Sequence, residues 1–347
     1  MRATLNPLRL FIAGFDWSGR TGRLQLLVVF FMTLAPSAAF LLGQLYTRFP
    51  RWVDILLILV LGILTIPQIG HVLRRLNDTG RSGWWVWAAL VPYTAVPLWL
   101  YLLFKGPSYA RPSSELSTAR SVGFVLTIFL AVLMASRVFW TPFTIPTGSM
   151  KPALLVGDYV IATVDRRLPE RGDVIVFYSS VRGQMLVKRA IGLPGDRVQM
   201  ADAVVLLNGE ALPQTDAGLF TETMVKQGSM GLFPRCYNGA VGTGALCEKR
   251  MFTERLPSGR SHEVLNIGDT ALDTTTEMTV PAGHVLVLGD NRDNSSDSRI
   301  ARAAGGVGLV PQDALVGHVR RVLFSTEGAS PWAIWNLRWD RFLEGVR

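Results

Sequence analysis

The sequence predicts a chain in two parts: an α-helical transmembrane region over the first 140 residues, then a mainly-β domain. Three observations carry this. Residues Leu24 to Leu45, Val53 to Leu73, Trp84 to Phe104 and Val122 to Trp140 form four apolar runs, each close to the roughly 20 residues that a bilayer core demands. From Thr141 onward the texture changes to short β-rich runs such as "DYVIATV", "GDVIVFY" and "HVLVLGD", separated by Gly, Pro and Asp clusters. Apolar residues make up 49% of the 347, and there are ten tryptophans, a residue that favours membrane–water interfaces.

The first and third runs are uncharged. The second carries Asp54 near its start and His71 near its end, and the fourth carries Arg137, placed where its side chain can snorkel to an interface. A buried soluble helix seldom stays apolar all round for such a length, so spans are the reading. "MRATLNPLRL" does not read as a cleavable signal peptide, because Asp16, Arg20 and Arg23 separate it from the first run. The expected division is residues 1–118 as a multi-span membrane domain, 119–140 as an anchor helix, 141–330 as the β domain and 331–347 as an interfacial amphipathic helix or a helix packed on the domain. Residues of about 209–279, polar and glycine-rich, read as an inserted β-subdomain or long loops.

The net charge of +9 suits topology and anionic-lipid contact. Nucleic-acid binding is not expected, since no reader motif accompanies the charge. The two cysteines, Cys236 and Cys247, flank a glycine-rich segment without metal-site spacing or an accompanying histidine. Outside the cytosol they would pair; inside it they would remain thiols. No metal or cofactor is expected.

The chemistry is sought in three polar stretches. "TPFTIPTGSMKPALLVGD", Thr141 to Asp158, sets Ser149 in a turn a few residues past the last apolar run. Lys188 lies in a strand-like run beside Met185, Leu186, Val187, Ala190 and Ile191. "LGDNRDNSSDSR", Leu288 to Arg299, follows the strand "HVLVL". A serine hydroxyl is a weak nucleophile that needs a base within hydrogen-bond reach. A lysine, ordinarily protonated with a pKa near ~10.4, becomes such a base when burial lowers its pKa. Of the four histidines, His284 and His318 read as strand residues and His262 as surface.

Taken in order, "IPTGSMKPALLVGDYV", "GDVIVF", "VKRAIGLPGD", "GDNRDNSSDSR" and "LVPQDALVGHV" resemble the successive sequence boxes of the bacterial type I signal peptidases, membrane-bound leader peptidases with a Ser/Lys dyad. The resemblance implies an extracytoplasmic catalytic domain on the bacterial inner membrane, acting on preproteins with signal peptides beside membrane lipid and secretion machinery. It implies Ser149 as nucleophile and Lys188 as general base. Thr147 and Ser149 would form the oxyanion hole, and Ser295 would orient the lysine. Gly289, Asn294, Asp297 and Arg299 would support the site, and Phe143, Ile145, Met150 and Leu154 would line the substrate pocket. Thr147 stands where serine is common in that family, and Ala153 where a hydroxyl is common. Self-cleaving repressor-type peptidases share the dyad but are soluble, and an inactive scaffold would lack a catalytic atom; neither description fits.

The leading region, through "FDWSGRTGRLQLL" and "RRLNDTGRSGWW", resembles the DUF805 membrane domains, which bring no activity with them. Arg74, Arg75, Asp78 and Arg81 read as a charged topological loop, or as a headgroup site. Four full spans and an outside catalytic domain would put the N-terminus outside, against the bias of Arg2, Arg9, Arg20 and Arg23. Two resolutions stay open: a re-entrant segment broken at Pro92 and Pro97, or a last span whose insertion overrides the bias.

Overall fold

The computed structural model describes residues 6–15, 20–46, 51–89, 92–107, 125, 128–129, 132–133, 136–228, 230–327 and 334–346. The chain divides into two compact units, Met1–Val138 and Phe139–Arg347.

The first unit is helical: α1 (Pro7–Ala13), α2 (Arg23–Tyr46), α3 (Arg51–Asp78) and α4 (Pro92–Phe104). Asn6 caps α1 by accepting from the Leu8 and Arg9 amides. Leu26, Val72, Leu73, Leu76, Leu98 and Leu102 pack the core between α2, α3 and α4. The third apolar run is not one helix. A 3-10 segment, Gly83–Ala89, precedes α4, which begins at Pro92 and spans 13 residues. Pro92 suits a helix start because its missing N–H would have no intrahelical acceptor there. Nine of the nineteen residues of the fourth run, Val122 to Trp140, lie outside the described residues. Among the described residues no helix is long and apolar enough to cross a membrane.

The charged stretch before the 3-10 segment has a structural use. Arg75 donates to the carbonyls of Leu102 (2.8 Å) and Lys105 (2.7 Å), pairs with Asp78, and so satisfies the open carbonyls at the end of α4. Arg74 donates to Ala13 O at the end of α1 (2.8 Å). Buried His71 bridges Thr21 Oγ1 (3.1 Å) and Leu10 O (2.8 Å).

The second unit is mainly β. Its strands are β1 (Trp140–Thr144), β2 (Asp158–Thr163), β3 (Val174–Ser179), β4 (Gln184–Gly192), β5 (Arg197–Ala201), β6 (Val204–Leu207), β7 (Glu210–Ala211), β8 (Gln214–Thr223), β9 (Leu246–Arg255), β10 (Ser261–Asn266), β11 (Met278–Thr279), β12 (His284–Leu288), β13 (Val310–Pro311) and β14 (Leu315–Ser325). A seven-stranded sheet runs β1-β2-β14-β3-β4-β12-β13. A four-stranded sheet runs β11-β5-β6-β7, and a three-stranded sheet β10-β9-β8. Pairing is antiparallel throughout the named ladders. Central strands such as β3, "VIVFYS", are buried on both faces, which is why their apolar residues run on without alternating. Within residues 209–279 lie the three-stranded sheet and the loops around it. Cys236 and Cys247 are joined by a disulfide within the same stretch.

The C-terminal segment is not an α-helix. It forms two 3-10 turns, Ile334–Asn336 and Trp339–Arg341. Arg341 explains this: it is held by Asp158, 2.7 Å away at the start of β2, and by Ala153 O at 3.0 Å. That anchoring ties the segment to the β domain while Trp335, Trp339 and Phe342 stay exposed.

Candidate active site

Ser149 lies in the single 3-10 turn Gly148–Met150 that follows β1. Backbone bonds before it and apolar side chains around it fix the chain. Ile145 continues the β1–β2 ladder, donating to Asp158 O at 2.9 Å and accepting from the Gly157 amide at 3.0 Å. Met150 and Leu154 sink into the core with Ile145, Val160, Val176 and Val322. So short a turn makes few hydrogen bonds of its own, and its carbonyls are taken by Asn291, whose side-chain amide donates to Gly148 O (2.9 Å) and whose backbone N–H donates to Ser149 O (3.1 Å).

Lys188 stands in β4, opposite Ile175 of β3. It is 3% exposed. Its ammonium donates to Ser149 Oγ at 2.7 Å and to Val187 O at 3.1 Å. Burial pushes the Lys188 pKa down to about 8 from an ordinary 10.5. Asp297 and Asp290 oppose the shift, and Arg182 and Arg299 add to it. Each aspartate beside the lysine is itself occupied. Asp290 holds Arg189 through both oxygens, at 2.7 and 2.6 Å. Asp297 holds Arg299 through both, at 2.8 and 2.9 Å. Charge neutralised in this way leaves desolvation of the amine as the dominant effect.

The remaining residues singled out from the sequence divide. Gly289 is required by close approach: a Cβ there would lie 2.2 Å from Ser295 Oγ and 2.6 Å from Ser149 O. Its amide donates to Asp297 Oδ2 at 3.1 Å. Asn294 closes the 3-10 turn Arg292–Asn294 through its amide, which donates to Asn291 O at 3.0 Å. Thr147 occupies the position before the Ser149 turn, and its hydroxyl makes no cap bond. Ser295 differs from expectation. Among the described residues its buried hydroxyl has no hydrogen-bond partner, and the second contact of Lys188 is the Val187 carbonyl. Of the four residues expected to line a pocket, Ile145, Met150 and Leu154 are interior. Phe143 is half-buried against the same cluster. His262 is not a surface residue: it alternates inward along β10 and sits 3.3 Å from Glu254 Oε1, which also holds Arg292 at 2.7 Å.

Sequence reasoning missed Asn291, the Arg189–Asp290 pair and Lys151. All four lie inside recognised boxes, where any polar residue was a candidate. Lys151 carried no sequence signal of a role, and it is 3% exposed. Among the described residues no group of three His, Cys, Asp or Glu side chains is placed to hold a metal.

A buried, weakly basic amine on a strand, touching a serine hydroxyl in a tight turn, is the arrangement of a Ser/Lys hydrolase. Comparison with known sequences agrees. Residues 118–324 match the family described as "Signal peptidase, peptidase S26", and residues 14–137 match a protein family of unknown function, DUF805. The chain is 32% identical over 241 residues to the signal peptidase I of Rickettsia typhi, covering 60% of this chain and 79% of that protein. It is 31% identical over 241 residues to that of Rickettsia prowazekii, with the same coverage. A solved structure, a signal peptidase I from Enterococcus faecalis V583, matches at 26% identity with a TM-score of 0.23, covering 44% of this chain and 97% of that one. The chain belongs to the signal peptidase, peptidase S26, family.

Proposed function

We propose that this chain is a membrane-bound serine endopeptidase that removes N-terminal signal peptides from exported preproteins, with Ser149 as nucleophile and Lys188 as general base. The 2.7 Å contact between Lys188 Nζ and Ser149 Oγ, made by a buried amine, carries the proposal. Neutral Lys188 takes the proton of Ser149 Oγ as that oxygen bonds to the scissile carbonyl carbon. The resulting oxyanion accepts hydrogen bonds from the Ser149 N–H and the Thr147 hydroxyl, each worth about 3–4 kcal/mol of barrier. The lysine ammonium then protonates the leaving amine as the C–N bond breaks. Water, deprotonated by the same lysine, hydrolyses the ester and frees Ser149. Asp297, Arg299, Gly289 and Asn294 hold the loop that carries this geometry. Ser295 lies against Gly289 and presents its unpartnered hydroxyl beside the nucleophile turn, from which substrate contact would recruit it.

Membrane placement belongs to the same reading. Its support is the sequence: uncharged or nearly uncharged apolar runs of bilayer length, with the serine a few residues past Trp140. A membrane-held signal segment would end near that depth. The disulfide supports an oxidising, extracytoplasmic setting for the β domain. On this reading residues 1–118 are a DUF805-like membrane domain, 119–140 the anchor and 141–330 the peptidase. The enzyme works on the outer face of the bacterial inner membrane, with preproteins, lipid and secretion machinery as partners.

The test is cleavage of a purified preprotein by the full chain in detergent, with the new N-terminus sequenced. Ser149→Ala and Lys188→Met are each expected to lower the rate by on the order of a thousandfold or more. Wild-type rates in either variant would exclude the dyad.

A further inference from the structure

We propose that Glu222, acting through Lys151, is a positioning residue for Ser149. This rests on the dyad assigned above. Lys151 is the residue that ends the nucleophile turn, its N–H donating to Gly148 O at 3.3 Å. Its side chain folds back along the turn. A Cβ built on Gly148 would stand 3.2 Å from Lys151 Cε and 3.3 Å from Cδ, so the stem lies directly against the residue before the serine. The ammonium then enters a buried polar cluster. It pairs with Glu222 and donates to Gln227 Oε1 at 2.7 Å, while Gln227 Nε2 donates to Glu222 Oε2 at 2.6 Å. Lys249 pairs with the other oxygen of Glu222. The side chains of Lys151, Glu222 and Lys249 are 4%, 11% and 1% exposed.

The cluster is anchored away from the nucleophile. Glu222 lies on β8 opposite Cys247 of β9, and Cys247 is bonded to Cys236. Gly228, one residue past Gln227, adopts φ +62, and a Cβ there would be 2.6 Å from Val156 Cγ1 and 3.3 Å from Pro146 O. The loop therefore seats on Pro146 and Val156, which flank the turn. Asn291 grips the turn from the β12 side, and the Lys151–Glu222 link grips it from the β8–β9 side. Two buried cations sharing one carboxylate are a poor source of stability, because desolvation offsets their attraction. What such a link supplies is geometry, and a nucleophile displaced by about 1 Å can lose on the order of a hundredfold in rate.

Lys151→Met, Glu222→Gln and the double variant test this in the full chain. Each is assayed on a preprotein well below its own melting midpoint. Each single variant is expected to lower kcat by ten- to a hundredfold with KM within twofold. The double variant should be no slower than the slower single one, because both substitutions cut the same link. Unchanged kcat with a lowered midpoint, a rise in KM alone, or multiplicative losses in the double variant would each overturn the proposal. If Lys151→Met fails to fold, Gln227→Ala keeps every charge and removes one bond to the ammonium. A several-fold loss of kcat is then expected, and a wild-type kcat would overturn the proposal. Wild-type and Ser149→Ala rates, measured alongside, test the underlying dyad separately, since all variant losses are read as ratios to wild type.

Discussion

A lysine kept neutral is the residue-scale cost of this site. The Lys188 pKa falls from 10.5 to about 8, so between those values the unfolded chain holds the proton and the folded chain does not. Stability therefore rises with pH through that window. Below it the full penalty of burying the charged amine applies, about 3 kcal/mol. Lys188→Met removes that penalty and gives up the hydrogen bonds to the half-buried Ser149 hydroxyl and to Val187 O. The variant is expected to be inactive and to melt several degrees above wild type at pH 7, with the difference shrinking as pH rises above 8; calorimetry across pH checks this. Gly289 is the second residue that decides the site. Gly289→Ala would drive a methyl into Ser295 and the Ser149 carbonyl. Loss of about 1–3 kcal/mol of stability and a fall in kcat of about a hundredfold are expected, read by denaturant unfolding and preprotein cleavage.

At the scale of elements, the site is a junction of three: the turn after β1, the strand β4 and the loop after β12. Arg189 of β4 and Asp290 of the loop, each side chain 1% exposed, join the last two. Arg189 also donates to Gly172 O at 2.8 Å, before β3. Asp290→Ala would leave that guanidinium buried without its counter-charge, and about 3–5 kcal/mol of stability should go with it, measurable as a shift of the urea midpoint at constant m-value. The strands themselves were readable from the sequence because β-branched runs between Gly and Asp clusters have few other solutions. Ser149, Lys188 and the loop stood out through the order of sequence boxes that resembles the signal peptidase family. Asn291 and Lys151 did not. Their roles depend on which backbone carbonyl or carboxylate the fold brings near, and a lysine at Lys151 spells the same in solvent as in a core. Ile145, Met150 and Leu154, expected to line a substrate pocket, pack together in the apolar core.

At the scale of the whole molecule, the chain splits into two compact units, Met1–Val138 and Phe139–Arg347. The third apolar run shows the limit of hydropathy. Its composition is that of a span, yet Pro92 begins a new helix within it. The arginines ahead of it read as a charged topological loop or a headgroup site; Arg74 and Arg75 serve the backbone ends of α1 and α4. The β unit is a peptidase of the S26 family, and the chemistry assigned to it depends on the amine being free of its proton when it meets the serine. The pH dependence of kcat/KM on a preprotein is the most direct measure of that. An acidic limb with its midpoint near pH 8 is expected, leaving about a tenth of the plateau rate at pH 7. A limb centred above pH 10, or a rate flat between pH 6 and 9, would contradict the account.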